Sequence, residues 1–129
     1  KQWNGSKVLF RIHCQTGNMY RGEVWWVSFD PSLGGETQKT RPAVIVSTNA
    51  SNRVLNRLQV VPITSRTERV YPCEALISLN GELCKAMADQ IATVRKLRMR
   101  EKMGTLSPQD LRMVEAAIRV QLGLNPAGS

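Results

Sequence analysis

The chain has 129 residues, 42% of them hydrophobic, and a formal net charge of +8 from 18 Lys and Arg against 10 Asp and Glu. That is enough for one domain with a buried core, and a second domain is not needed. No stretch approaches the roughly 20 apolar residues of a membrane span, and the first residues lack the apolar core of an export signal, so a cytoplasmic protein is expected.

Residues 1–19 mix polar side chains, Gly5 and Gly17 with one apolar patch, Val8-Leu9-Phe10. They read as an extension ahead of the domain, which makes the single histidine, His13, a poor catalytic candidate. Cys14, Cys73 and Cys84 are widely spaced with no CxxC pair. Neither a metal site nor a disulfide is therefore expected, and the thiols read as buried or idle.

From residue 22 to 29, β-branched and aromatic side chains predict a first strand, ended by Asp30-Pro31. Adjacent Trp25 and Trp26 point to opposite sides of it, so one belongs to the core and the other to the surface or an interface. Residues 42–47 predict a second, nearly all-apolar strand. Between the two lies the polar loop Gly34-Gly35-Glu36-Thr37-Gln38-Lys39, whose paired glycines suit a mobile lid. Pro42 biases Arg41 toward an extended backbone, so its guanidinium leaves a stiff strand start, well suited to a phosphate oxygen.

A third strand is expected over residues 58–64. Pro62 cannot donate to a ladder and requires an edge or a bulge there. Residues 70–79 predict a fourth strand, interrupted at Pro72, and Asn80-Gly81 predicts a hairpin turn into a fifth over 83–88. The period then changes. Leu111, Val114, Ile118 and Leu122 recur at helical spacing behind Ser107 as N-cap, Pro108 at the first helical position and Asp110 in the first turn, with Gly123 as the stop. Short turns near Asn52 and Arg95 complete an α+β fold of mostly sequential antiparallel strands and one long helix. The domain is expected over 20–124, with a tail over 125–129.

The positive charge concentrates in Arg95-Lys96-Leu97-Arg98-Met99-Arg100-Glu101-Lys102. Such a face binds polyphosphate through counterion release, without sequence preference. It would serve acidic segments of a protein equally well, so charge alone does not separate the two partners.

Arg21-Gly22-Glu23-Val24-Trp25-Trp26-Val27, the loop running into Thr40-Arg41-Pro42-Ala43-Val44-Ile45-Val46-Ser47, Val61-Pro62-Ile63-Thr64-Ser65, and Met87-Ala88-Asp89-Gln90-Ile91 follow one another in an order that resembles the MazF/PemK family of bacterial toxins. The resemblance covers about residues 20–124; family members begin near Met19. It implies the SH3-like antiparallel β-barrel shared by MazF, CcdB and PemK toxins with a C-terminal α-helix, usually as a homodimer. It also implies a sequence-selective, metal-independent endoribonuclease with no cofactor that cuts single-stranded RNA by attack of the 2′-hydroxyl. A MazE-like antitoxin would lay an acidic segment over the substrate groove, and operator DNA would be bound only through that complex.

Under that reading Arg41 and Thr64 are the catalytic residues. Arg41 pairs two phosphate oxygens as a permanently charged fork, and its high pKa favours charge stabilisation over proton transfer. Thr64 donates to a non-bridging oxygen or holds the nucleotide in line. Glu36 is the candidate base: desolvation would raise its pKa, whereas pairing with Arg41 would lower it. Where family members commonly have Gly-Ser-Glu-Gln, this chain has Gly34-Gly35-Glu36-Thr37, which points to altered substrate recognition. RNA contacts are implied for Gly35, Thr37, Gln38, Lys39, Ser65, Arg66, Asp89 and Gln90, the last two reading base edges on unpaired RNA or else satisfying the barrel's own backbone. The same barrel also serves CcdB, a non-catalytic poison of DNA gyrase, which stands as the alternative function.

Overall fold

In the computed structural model, residues 18–29 and 40–125 are described. They form strands β1 (Glu23–Ser28), β2 (Thr40–Ile45), β3 (Arg57–Thr64), β4 (Glu74–Leu79), β5 (Glu82–Met87), β6 (Ala92–Arg95) and β7 (Met99–Thr105), with helices α1 (Asn49–Val54) and α2 (Pro108–Leu122). The strands pair antiparallel in the order β4-β5-β3-β2-β1-β7, with β6 beside β3. The sheet curls into a half-barrel. Its far ends approach each other where the Asn80 side-chain amide donates to the Met103 carbonyl of β7 at 3.3 Å.

The central pair β2–β3 is buried on both faces, which is why both strands read as unbroken apolar runs. Val44, Val61 and Ile63 face a core shared with hairpin β4–β5 and α2, including Ile77, Ala86 and Val114. Ala43, Ile45 and Val60 face a second core with Leu58, Val94 and Met99. Burying each such aliphatic side chain contributes about 1.5–3 kcal/mol. Trp25 packs partly buried on the second core, whereas Trp26 is 36% exposed, as opposite-facing neighbours must divide.

Pro62 is neither on an edge strand nor at a bulge. It pairs with Ala43 in an unshifted β2–β3 register. The Gln59 carbonyl accepts from the Val46 N–H, at 2.9 Å, on the β2 side. Strand alternation therefore points the Pro62 backbone to the opposite flank. On that flank β3 changes partner, from β6 at residues 57–60 to β5 at Ile63 and Thr64. The missing N–H falls where no ladder bond is required.

Two further expectations are corrected. β4 begins at Glu74, not at residue 70, because residues 71–74 close a turn in which the Glu74 N–H donates to the Tyr71 carbonyl at 2.8 Å, with Pro72 in the position that favours proline. The turn expected near Asn52 is a helix, α1, anchored by the buried Asn52 side chain, which donates to the Ser47 carbonyl and accepts from the Ser47 hydroxyl. The short turn expected near Arg95 is present as a 3-10 turn (Lys96–Arg98), but it joins two strands, β6 and β7, that the basic stretch does not announce. Its strand pattern is obscured because the β1–β7 register shifts twice, breaking the alternation of buried and exposed side chains.

The hairpin turn and the long helix form as expected. Asn80 and Gly81 both take positive φ, 51° and 84°, the signature of a tight two-residue hairpin turn. Ser107 caps α2 by accepting from the Asp110 N–H at 3.0 Å, and Gly123 ends the helix in the left-handed region. Val114 and Ala117 are buried, while Leu122 is 51% exposed and lies outside the core. Asp110 also accepts from the Ser78 N–H at 2.9 Å, which closes the free edge of β4 against the helix. Ser107→Ala leaves a first-turn amide without its acceptor and is expected to lower stability by about 1 kcal/mol, read as a shifted urea midpoint at unchanged slope.

Candidate active site

The β2–β3 ladder ends at the Ala43–Pro62 rung, and the two strands part there. β2 continues beside β1, with Arg41 opposite Val27 and Thr40 opposite Ser28. β3 continues beside β5, with Thr64 opposite Lys85. Arg41 and Thr64 each lie two residues past the shared rung, so the register that stops there would place them directly across from one another. Both fall on one face of the sheet, since alternation sets Arg41 with Ala43 and Ile45 and Thr64 with Leu58 and Val60. A curled sheet thus spreads two strand ends apart and sets a cation and a hydroxyl on either side of the opening.

The Arg41 side chain is exposed and makes no hydrogen bond or ion pair with another described residue. Thr64 is half-buried, and its Oγ1 accepts from the Arg66 N–H at 3.2 Å. That bond turns the chain after β3 and leaves the hydroxyl proton free to donate outward. Ser65 and Arg66 follow, both exposed. Asp89 and Gln90 sit exposed in a 3-10 turn (Ala88–Gln90) directly after β5. They lie four and five residues beyond Lys85, the partner of Thr64, which is about 10–13 Å along the chain. The Gln90 amide contacts Met87 Sδ at 3.5 Å, and neither side chain satisfies a described backbone group. Gly35, Glu36, Thr37, Gln38 and Lys39 lie outside the described residues, as do Asp30, His13 and Cys14.

Two charged clusters that the sequence reading passed over hold the site's surroundings in place. Lys85 is 9% exposed; its Nζ lies 2.9 Å from Glu74 Oε1 and donates to the Arg69 carbonyl at 2.6 Å. Glu74 Oε1 also accepts from the Tyr71 N–H at 2.9 Å. One ion pair therefore ties the segment that follows Thr64 to the β4–β5 hairpin beside it. Burial pushes the Glu74 carboxyl up, but the Tyr71 N–H and Lys85 together outweigh it and hold the group below its ordinary value. A lysine in the middle of Leu83-Cys84-Lys85-Ala86-Met87 is the sequence signal for such a buried pair.

Glu23, 6% exposed, is the second. Its carboxylate accepts from the Tyr20 N–H at 3.2 Å and the Trp25 indole at 2.9 Å, and pairs with Lys102 at 3.2 Å. It fixes Trp25, which shares the face of Arg41, while the more exposed Trp26 faces away from it. Cys84 is buried, and burial, then the charges of Glu82 and Asp110, push its thiol up; Cys73 is half-buried and free. Among the described residues no group of three or more His, Cys, Asp or Glu could hold a metal ion.

Residues 20–122 match the family model for PemK-like, MazF-like toxins of type II toxin–antitoxin systems. The endoribonuclease MazF9 of Mycobacterium tuberculosis is 36% identical over 115 residues, covering 82% of this chain and 98% of that protein. The endoribonuclease toxin MazF of Escherichia coli is 34% identical over 103 residues, covering 79% and 92%. Among solved structures, MazF from Deinococcus radiodurans superposes with a TM-score of 0.71 at 27% identity, covering 84% of this chain and 99% of that one. A mycobacterial endoribonuclease in complex with its cognate antitoxin gives 0.69, also at 27%, covering 84% and 98%.

The Glu74 carboxylate is stabilised in the fold, so its contribution is complete above its ordinary value of 4.5 and is lost as pH falls through the lower folded value. Glu74→Gln is expected to lose less stability than the parent between about pH 5 and pH 3, measured as urea midpoints along a pH series. Lys85→Met, which leaves the carboxylate buried without its cation, is expected to cost about 3 kcal/mol near neutral pH.

Proposed function

The chain belongs to the PemK-like, MazF-like toxins of type II toxin–antitoxin systems and is an endoribonuclease of that kind, and from this membership we propose that it cuts single-stranded RNA at a short recognition sequence through a site built on Arg41 and Thr64. The observation that carries the assignment is the parting of β2 and β3, which leaves Arg41 and Thr64 on one face at either side of the same opening.

In the proposed reaction the ribose 2′-oxygen attacks the adjacent phosphorus and loses its proton to a base. The bond from phosphorus to the 5′-oxygen breaks, and that oxygen takes up a proton. The products are a 2′,3′-cyclic phosphate and a 5′-hydroxyl. Arg41 opposes the charge that builds on the non-bridging oxygens, because its fork meets two of them at once. Thr64, its oxygen oriented by the Arg66 N–H, donates its proton to the same phosphate. Glu36 remains the proposed base. Recognition contacts are proposed for Gly35, Thr37, Gln38, Lys39, Ser65, Arg66, Asp89 and Gln90, with no metal taking part.

The exposed cation at the opening also supports an acidic antitoxin segment as the regulatory occupant of the groove, competing with RNA for the same charge. A homodimeric, cytoplasmic protein with its toxin domain over 20–124, reaching operator DNA only through the antitoxin complex, completes the proposal. No helix among the described residues is long and apolar enough to cross a membrane. Nothing in the comparisons favours gyrase poisoning.

The test incubates the protein with long RNA of varied sequence in the presence of EDTA and maps the new 5′ ends by primer extension. Discrete cuts at a shared motif are expected. Arg41→Ala should slow them by about 10²–10³-fold, as for loss of a group that stabilises developing charge. Thr64→Ala should slow them by roughly tenfold, and Arg41→Lys should fall between wild type and Arg41→Ala. RNA left intact by the wild type, or cut equally well by Arg41→Ala, would sink the assignment.

A further inference from the structure

At the end of β3 remote from Thr64, the ladder to β6 sets Arg57 directly opposite Arg95 and Gln59 opposite Thr93. Opposed residues in an antiparallel pair have Cβ atoms about 4.5–5.5 Å apart, a spacing at which like charges repel. Both arginines are exposed, and no ion pair among the described residues reaches either; Arg57 Nη1 donates to the adjacent Asn56 side chain at 3.2 Å. Arg53, in the last turn of α1, is a third exposed cation without an acidic partner among the described residues.

The backbone cannot easily separate the two. The Lys96 N–H donates to the Asn56 carbonyl at 2.8 Å, and the half-buried Lys96 ammonium donates to the Asn52 carbonyl, tying the end of β6 to α1. Two rungs along, on the same face, Gln59 Nε2 donates to Thr93 Oγ1 at 3.0 Å. Alternation turns Arg57, Gln59, Thr93 and Arg95 away from Leu58 and Val60. They therefore occupy the face opposite Arg41 and Thr64, at the other end of β3, about 23 Å along the strand.

We propose that the Arg57–Arg95 rung is a second RNA-binding surface, separate from the cutting site, that grips backbone phosphates of the substrate several nucleotides from the scissile bond. This rests on the reading of the chain as a nuclease of single-stranded RNA. An anion held between the two forks turns a repulsion into two charge-assisted contacts, and a phosphodiester offers two non-bridging oxygens for them. The side chains of the two same-face pairs, Arg57, Arg95, Gln59 and Thr93, are all charged or polar, with exposed Leu55 and Leu97 each two residues from an arginine. A polar, positively charged strip matches nucleic-acid interfaces. Guanidiniums on phosphates supply affinity and register without reading bases, so the surface adds grip and leaves the recognition sequence to the cutting site.

The experiment titrates fluorescent single-stranded 2′-O-methyl RNA of mixed sequence, which lacks the attacking hydroxyl, with wild type and with Arg57→Gln/Arg95→Gln between about 50 and 200 mM salt. Losing two phosphate contacts should make the slope of log K against log salt shallower by about 1.4 and weaken binding roughly tenfold at the lower salt. Tm should not fall, since a repulsion is removed. Arg57→Lys/Arg95→Lys should keep the slope. Each single Gln substitution should carry about half the change, so the proposal stays testable if the double variant melts early. An unchanged slope and affinity in the Gln variants overturn the proposal. So does lost binding of a polyglutamate peptide with RNA binding intact, which would assign the rung to an acidic protein segment. Cutting of ordinary RNA by the wild type is scored separately, so a failure of the nuclease reading is distinguishable from a failure of the rung.

Discussion

The β2–β3 ladder is the constraint from which the rest of the structure follows. Its strands are apolar on both faces, so the sheet must be covered on both, and a single α2 covers only one of them. The sheet meets this demand by curling, which lets β6 and β7 build the second core. Curling also forces β2 and β3 apart beyond the Ala43–Pro62 rung, because each must follow a different neighbour. The candidate active site is the opening created by that divergence. Its Arg41 and Thr64 gain rigidity from strands whose neighbouring residues, Ala43 to Ile45 on β2 and Val60 and Val61 on β3, are fully buried.

Electrostatics then separates charges that serve the fold from charges left for a partner. Glu23, Glu74 and Glu115 hold Lys102, Lys85 and Arg21, and Asp110 satisfies a backbone amide at the edge of β4. These acids are committed to cations and amides close to the core. Arg41, Arg53, Arg57 and Arg95 have no acidic partner among the described residues. Part of the excess of +8 therefore sits at the ends of strands and of α1. Cations without acidic partners can neutralise phosphates and release the counterions condensed on a polyanion, which gives a small basic protein salt-dependent affinity for nucleic acid.

Much of this was legible before any coordinates, and the reasons differ from element to element. Ser107, Pro108, Asp110 and Gly123 specify the ends of α2 through local hydrogen bonds and φ values, and the structure follows them. Asn80-Gly81 does the same for its hairpin, because positive φ at two successive residues suits few side chains. β7 is not legible in the sequence, because two register shifts against β1 scramble its alternation. Pro62 reads locally as an edge or a bulge, yet it stands inside a doubly paired strand at the point where the second partner changes, and nothing local announces that change. Lys85 and Glu74 were passed over because their contact joins β5 to the start of β4 across a turn and two strands.

By itself, the sequence determined the family, the long helix and its caps, and the hairpin turn, and it singled out Arg41 and Thr64 as candidates by the chemical character of their side chains. Each of these depends on neighbours in the chain or on the chemical character of one side chain. Only the tertiary structure decided that Arg41 and Thr64 share one face, that Trp25 rather than Trp26 stands on that face, that a buried ion pair braces the segment after Thr64, and that Arg57 is set against Arg95. These are matters of register and curl. They emerge when two doubly buried strands must find cover on both sides, a condition that no window of residues along the chain contains.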